Sequence, residues 1–226
     1  MTWAQVLCEI ADAAPVSGLE SYFTTYSGRG FDRVAMEGPP DRFTAGDLYA
    51  CALLSAEIEP HTGADLLDRE AKRCTGLLQA IPSVVSIRDD QSADALASDG
   101  AAAELYGLLR SMKSIGPTRA SKLLAVKRPG LVPIRDSFVE EALDARKVSE
   151  WWAPMVAAWS TPALGPAVDS LRARAGSAVP PYVTDLRLLD VSVWLSIEST
   201  HPLAGASDTE DSSDHAVPLS DTEVPL

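Results

Sequence analysis

The chain has 226 residues, 46% of them hydrophobic, enough for a core in one large domain or two small ones. Its formal net charge of −13 argues against generic nucleic-acid binding, because phosphate repels an acidic surface. No window approaches the roughly 18 consecutive apolar residues of a membrane span, and the opening stretch MTWAQVLCEIADAAP has acids where a secretory signal has positive charge, so a cytoplasmic protein without a membrane partner is expected.

Taken in chain order, Thr2 and Gln5 form a capping box before Trp3, Val6, Leu7 and Ile10, which share one helical face. Residues 26–43, YSGRGFDRVAMEGPPDRF, read as an ordered loop, since aromatic and apolar residues are spread through the Gly, Pro and charge. Within it Arg29, Asp32 and Arg33 suit a salt-bridged plug, and GRGFDR lacks the ending and the preceding strand of a phosphate loop. The capping signature returns at Thr44/Asp47, before Leu48, Cys51, Ala52 and Ser55. It returns again at Thr62/Asp65, before Leu67, Cys74, Leu77 and Leu78. His61 beside the second box reads as part of a helix start, and Cys8, Cys51 and Cys74, far apart and without CxxC pairing, read as reduced buried thiols.

Residues 93–112 carry Leu105, Leu108, Leu109 and Met112 at helical spacing. Pro117 then suits the first turn of a new helix that buries Ala120, Leu123 and Leu124, runs to about Val126 and ends at Arg128-Pro-Gly. LVPI is broken by Pro133 and makes a poor strand. Three more helical patterns follow: Trp152/Val156/Trp159, Leu164/Val168/Leu171, and Leu186/Leu189/Val193/Trp194/Ile197 opened by Thr184. Trp151, Trp152, Trp159 and Trp194 follow helical spacing and read mostly as core. The expected architecture is all-α, a compact helical array in a single domain over 1–198. Residues 199–226 hold six acids and no Lys or Arg and are expected to be a disordered acidic tail, its partner unknown.

The basic residues are unevenly placed. From Leu105 to Arg135 there are seven, Arg110, Lys113, Arg119, Lys122, Lys127, Arg128 and Arg135, and no acid. At the bend, Gly116 can take positive φ without steric cost, and Pro117, Thr118 and Arg119 open a helix whose free amides form a phosphate seat. The plain alternatives are a solvated basic face and, for Asp136 ahead of SFVEEAL, a helix cap.

SIGPTRA resembles the helix-hairpin-helix pattern (about 105–127 here) of the base-excision DNA glycosylase superfamily, and VPIRDSFVEEAL resembles the segment that follows it there; the likeness spans about 105–143. The chain, with GRGFDR and DRFTAGDLYACALLS, is also similar to an uncharacterised group of actinobacterial proteins. The glycosylase resemblance implies that the hairpin, through Ser114, Gly116, Thr118, Arg119 and Lys122, grips a DNA backbone while Asp136 faces the sugar of a flipped nucleotide. Ser114 stands where the first hairpin glycine is usual, which a serine tolerates if it avoids positive φ. Thr118 stands where bifunctional members carry their Schiff-base lysine, Phe138 where many carry His, and no four-cysteine cluster signature is present. The implied activity is monofunctional hydrolysis of an N-glycosidic bond with no cofactor and no metal, in the manner of a DNA-repair hydrolase. Tyr26, Phe31 and Phe43 are candidates to stack on the base. A non-catalytic scaffold binding a protein or small nucleotide, and a nucleoside-level N-glycosidase, are the alternatives.

Overall fold

The computed structural model describes residues 1–146 and 150–200. Among them are thirteen α-helices and no strand, in keeping with the all-α expectation; the acidic stretch from residue 201 lies outside the described residues. No described helix is long and apolar enough to cross a membrane.

Helix α1 (Trp3–Ala13) begins as its capping box dictates: Thr2 Oγ1 accepts the Gln5 amide at 3.3 Å and Gln5 Oε1 accepts the Thr2 amide at 2.8 Å. After α2 (Val16–Thr25), the segment read as a loop instead forms a 3-10 turn at Ser27–Arg29 and α3 (Gly30–Glu37). Its glycines and prolines flank the helix, and Phe31 and Ala35, one turn apart, bury the same face. The proposed plug also differs. Arg29 donates to the carbonyls of Thr25 and Tyr26, Arg33 approaches Glu37 at 3.8 Å, and Asp32 turns inward to Arg187.

Helix α4 (Ala45–Leu53) starts at the predicted box, with Asp47 Oδ2 accepting from the Thr44 amide and hydroxyl at 2.6 and 2.9 Å. It stops two residues short of Ser55, which adopts φ 53°. The second predicted box is wrong. Helix α5 (Pro60–Leu67) is opened by Pro60 at its first position, and Thr62, inside it, donates its hydroxyl to Lys113 O at 3.0 Å. Then come α6 (Ala71–Ala80), the short α7 (Ser92–Ala95), α8 (Ala101–Ser111) and α9 (Pro117–Lys127). Gly100 splits the predicted 93–112 helix in two by taking an extended conformation ahead of α8. The C-terminal part comprises α10 (Ser137–Ala142), α11 (Trp152–Trp159), α12 (Leu164–Ala175) and α13 (Asp185–Thr200).

The middle helices pack among themselves: α9 touches α3, α4 and α8, and α6 packs on α8. The terminal helices form a second set, with α1 against α11, α12 and α13, and α10 along α13. One continuous apolar cluster joins the two sets, from Leu7 and Leu19 through Phe31, Leu105 and Leu123 to Val168 and Leu188. Residues that bridge the sets therefore meet near α9, α10 and α13.

Candidate functional site

At that meeting lies a pocket of about 280 Å³. Thr118 and Lys122, one helical turn apart on α9, supply one wall, and Asp136, Ser137 and Phe138 at the start of α10 supply the next. Tyr22 and Tyr26 come from α2 and its end, Leu54 and Ser55 from the turn after α4, and Arg187, Asp190 and Trp194 from α13. The aromatic rings form a connected group: Tyr26 and Trp194 are 5.0 Å apart at 30°, and Tyr22 lies 5.1 Å from Tyr26 and 5.6 Å from Trp194. Gly28 makes this possible, because a Cβ there would press on the Tyr22 hydroxyl and come within 2.8 Å of the Tyr26 ring.

Asp136 does two things at once. Its Oδ1 accepts the Val139 amide at 3.1 Å, the ordinary cap of α10, while Oδ2 lies 3.6 Å from Lys122 Nζ. Lys122 also donates to Leu54 O at 2.9 Å, which holds the ammonium in place. The pair lines the pocket, so a charged carboxylate with a fixed counter-charge is available to a bound molecule.

Of the other sequence candidates, Thr118 joins the pocket and Ser114, Gly116 and Arg119 do not. Two backbone expectations at the turn are reversed. Gly116 is extended, with φ −82°, and Ser114 takes the left-handed conformation at φ 63°. The reason is local: Arg119 Nη1 donates to Ser114 O at 2.9 Å and its Nε to Glu57 O at 2.7 Å, which binds the turn to the preceding loop. Arg119 is thereby engaged inside the protein rather than extended toward a partner. Gly116 caps α9 with no side-chain bond, and a Cβ added there would meet nothing within 4 Å.

The basic run is mostly internal. Lys127 pairs with Asp47 at 2.6 Å, both side chains 1% exposed, and burial lowers the Lys127 pKa against the pull of Asp47. Arg128, fully buried, donates to the carbonyls of Leu78, Ile81 and Pro40 and to Asp41. Arg135 pairs with Glu140 at 2.7 Å and stacks on Trp151. The exposed members are Arg110 and Lys113. Of the stacking candidates only Tyr26 reaches the pocket; Phe31 and Phe43 are core residues. Trp194, read with the core tryptophans, is a pocket residue, whereas Trp151 and Trp159 are buried as expected.

Sequence reasoning missed the base of the pocket. Arg187, buried on α13, reaches Asp32 at 3.3 Å, contacts Asp190 and donates to the Tyr22 hydroxyl. Burial pushes the Tyr22 hydroxyl up to about 12, with Arg187 pulling the other way, so it stays protonated at neutral pH. The signal available was an Arg-x-x-Asp step on the inward face of an amphipathic helix, where charged residues are seldom placed without partners. The thiols are remote in chemistry as well: Cys51 and Cys74 are buried and Cys8 half-buried, and burial pushes Cys51 up to about 12.

The all-helical scaffold thus gathers two carboxylates, an ammonium, a guanidinium and four aromatic rings around one small pocket. The chain belongs to a family of unknown function, DUF6308, whose model matches residues 15–196 and so takes in every residue lining the pocket. No curated protein and no solved structure matches the chain.

Proposed function

We propose that the pocket receives one unstacked nucleotide and that the protein is a monofunctional N-glycosylase, with Asp136 as the catalytic carboxylate and DNA as the polymer. The observation that carries this reading is the position of Asp136 Oδ2, inside an aromatic-lined pocket and 3.6 Å from Lys122 Nζ. Breaking a base–sugar bond develops positive charge on the sugar, and a fixed carboxylate stabilises that charge and orients or deprotonates water. The pocket volume, about 280 Å³, falls at the small end of ligand sites and suits a nucleoside unit. Flat rings such as Tyr26 and Trp194 offer every base a stacking surface.

The α8–α9 turn is the proposed backbone contact, as in a helix-hairpin-helix. Nothing inside the protein requires glycine at 116, since the residue is extended and the space beside it is open. Close approach by a phosphate to the first-turn amides of α9 is then a reason for a residue without a side chain. The grip rests on those amides more than on side chains, because Arg119, Lys122, Lys127, Arg128 and Arg135 are engaged internally. That same engagement favours a second reading, base removal from free nucleosides, which needs the pocket and no polymer grip.

A mass-spectrometric search for free base tests both readings, using duplexes that each carry one deoxyuridine, deoxyinosine, 7-methyldeoxyguanosine or 8-oxodeoxyguanosine, and the corresponding nucleosides. Release from a duplex alone supports the DNA reading and release from nucleosides alone the second. No release from any member removes both.

A further inference from the structure

Arg187 leaves the hydrogen of the Tyr22 hydroxyl unclaimed. A guanidinium donates and cannot accept, and Arg187 directs Nε to Asp32 at 3.3 Å, Nη1 to Asp190 and Nη2 to Tyr22 Oη at 2.5 Å. The phenol oxygen is therefore the acceptor in that bond, and its own hydrogen points away from the guanidinium. Among the described residues no side chain or carbonyl takes that hydrogen, since Tyr22 Oη forms no second hydrogen bond. Tyr22 is 4% exposed, and a buried donor without an acceptor is a costly arrangement for a fold to keep.

The hydroxyl has little freedom to find an acceptor elsewhere. The Tyr22 ring stands edge-on to Phe23 at 5.0 Å and to Trp194 at 5.6 Å and lies against Tyr26 at 5.1 Å, while Gly28 closes so tightly on Oη that a Cβ there would press on it. Tyr22, Arg187 and Asp190 all line the pocket, so the donor and the charge behind it belong to the pocket wall, beside the Tyr26 and Trp194 rings. Burial also keeps the hydroxyl protonated, so the hydrogen it has to offer is present at neutral pH.

We propose that the Tyr22 hydroxyl donates to an exocyclic carbonyl oxygen of the bound base, so that the pocket selects oxo bases and the same bond stabilises the base as it departs; the assignment rests on the base-release reading above. A donor backed by a cation favours the acceptor that becomes most anionic, and in an oxo base that is the carbonyl oxygen. The C1′–N bond breaks with its electron pair leaving on the base, where conjugation carries the negative charge to that oxygen. Tyr22 meets the charge with its hydrogen bond and keeps its proton. Water adds to C1′ to form the new C–O bond, and Asp136 takes the proton that water loses. Solvent then gives the base a proton and removes one from Asp136, so one water is consumed and free base and sugar are formed.

Two measurements test the assignment. Deoxyinosine carries a 6-oxo group and its N1 hydrogen, purine deoxyriboside has neither, and their affinities for wild type and Tyr22→Phe are compared by NMR titration. Wild type should bind deoxyinosine about tenfold more tightly, and Tyr22→Phe, which keeps the ring contacts, should bind the two alike. Wild type that does not prefer deoxyinosine, a result that needs no variant, overturns the assignment, and so does a preference that survives in Tyr22→Phe. In single-turnover release from whichever panel duplex or nucleoside reacts, Tyr22→Phe should lose on the order of 100-fold with deoxyuridine, deoxyinosine or 8-oxodeoxyguanosine. It should lose less than about tenfold with 7-methyldeoxyguanosine, whose base departs neutral and gathers no negative charge. A Tyr22→Phe rate equal to wild type on the first three, or release from 7-methyldeoxyguanosine alone, overturns the assignment and leaves base release standing. If no panel member releases base while deoxyinosine is preferred through Tyr22, the base-release reading falls, the stabilising of a departing base falls with it, and the recognition stands.

Discussion

Helix α9 carries two lysine–aspartate pairs with opposite fates. Lys127 and Asp47 close to 2.6 Å with both side chains 1% exposed, and the pair is walled in by α3, α4 and the segment around Pro39, whose carbonyl takes a further Lys127 hydrogen bond. Lys122 and Asp136 stand 3.6 Å apart, 8% and 18% exposed, at the edge of a pocket. Five residues separate the lysines, yet the first pair has no room for a third party and the second has a molecule-sized space beside it. Partial exposure and a longer separation distinguish the pair at the pocket wall from the pair sealed in the core.

Breaking the closed pair has the larger expected cost. Lys127→Met leaves the Asp47 charge buried without its cation and should remove about 3–5 kcal/mol of stability in urea unfolding. Lys122→Met, whose partner keeps the Val139 amide and a face on the pocket, should remove about 1–2 kcal/mol and leave a folded protein with impaired base release. Equal losses for the two variants would erase the distinction between the pairs.

The pH dependence sharpens it. A carboxyl raised from 3.8 to about 6 on folding stabilises the native state below the unfolded pKa, and that contribution is lost as pH rises through the folded value. Between pH 4 and pH 7 wild type should therefore lose about 2 kcal/mol relative to Asp190→Asn, read as the difference between their unfolding free energies in urea. A difference that does not change with pH would show that Asp190 holds no extra proton.

The smallest effects fall at the turn before α9. Ser114→Gly should add about 1 kcal/mol by relieving the left-handed conformation. Gly116→Ala should change stability by less than about 0.5 kcal/mol, because its Cβ enters open space. If the turn contacts phosphate, however, the same substitution should weaken duplex binding several-fold in a fluorescence-anisotropy titration. Unchanged binding would assign the open space no role.

These pairs also show what was legible beforehand. Helix starts written in short-range chemistry were readable: Thr2 with Gln5, Thr44 with Asp47, Pro117 and Asp136 all open the helices their side chains or rings favour. Residues 26–43 were misread because glycine and proline at the flanks of a short helix look like a loop, although Phe31 and Ala35 keep helical spacing. Asp136 at the pocket was legible from the motif it ends. Its surroundings were not, since Arg187 and Asp190 lie more than fifty residues further on and Tyr22 more than a hundred before, and only the fold brings them together. The basic run misled for the same reason: a sequence displays charge, and only packing shows that Lys127 and Arg128 point inward to carbonyls and carboxylates.

The most direct test of the account is to compare wild type with Asp136→Asn on the panel substrate that releases base, under single-turnover conditions and at saturating protein. Asparagine keeps a cap acceptor for α10 and removes the charge. The account predicts unchanged binding and a release rate lower by on the order of 100-fold or more; an Asp136→Asn rate matching wild type would contradict it.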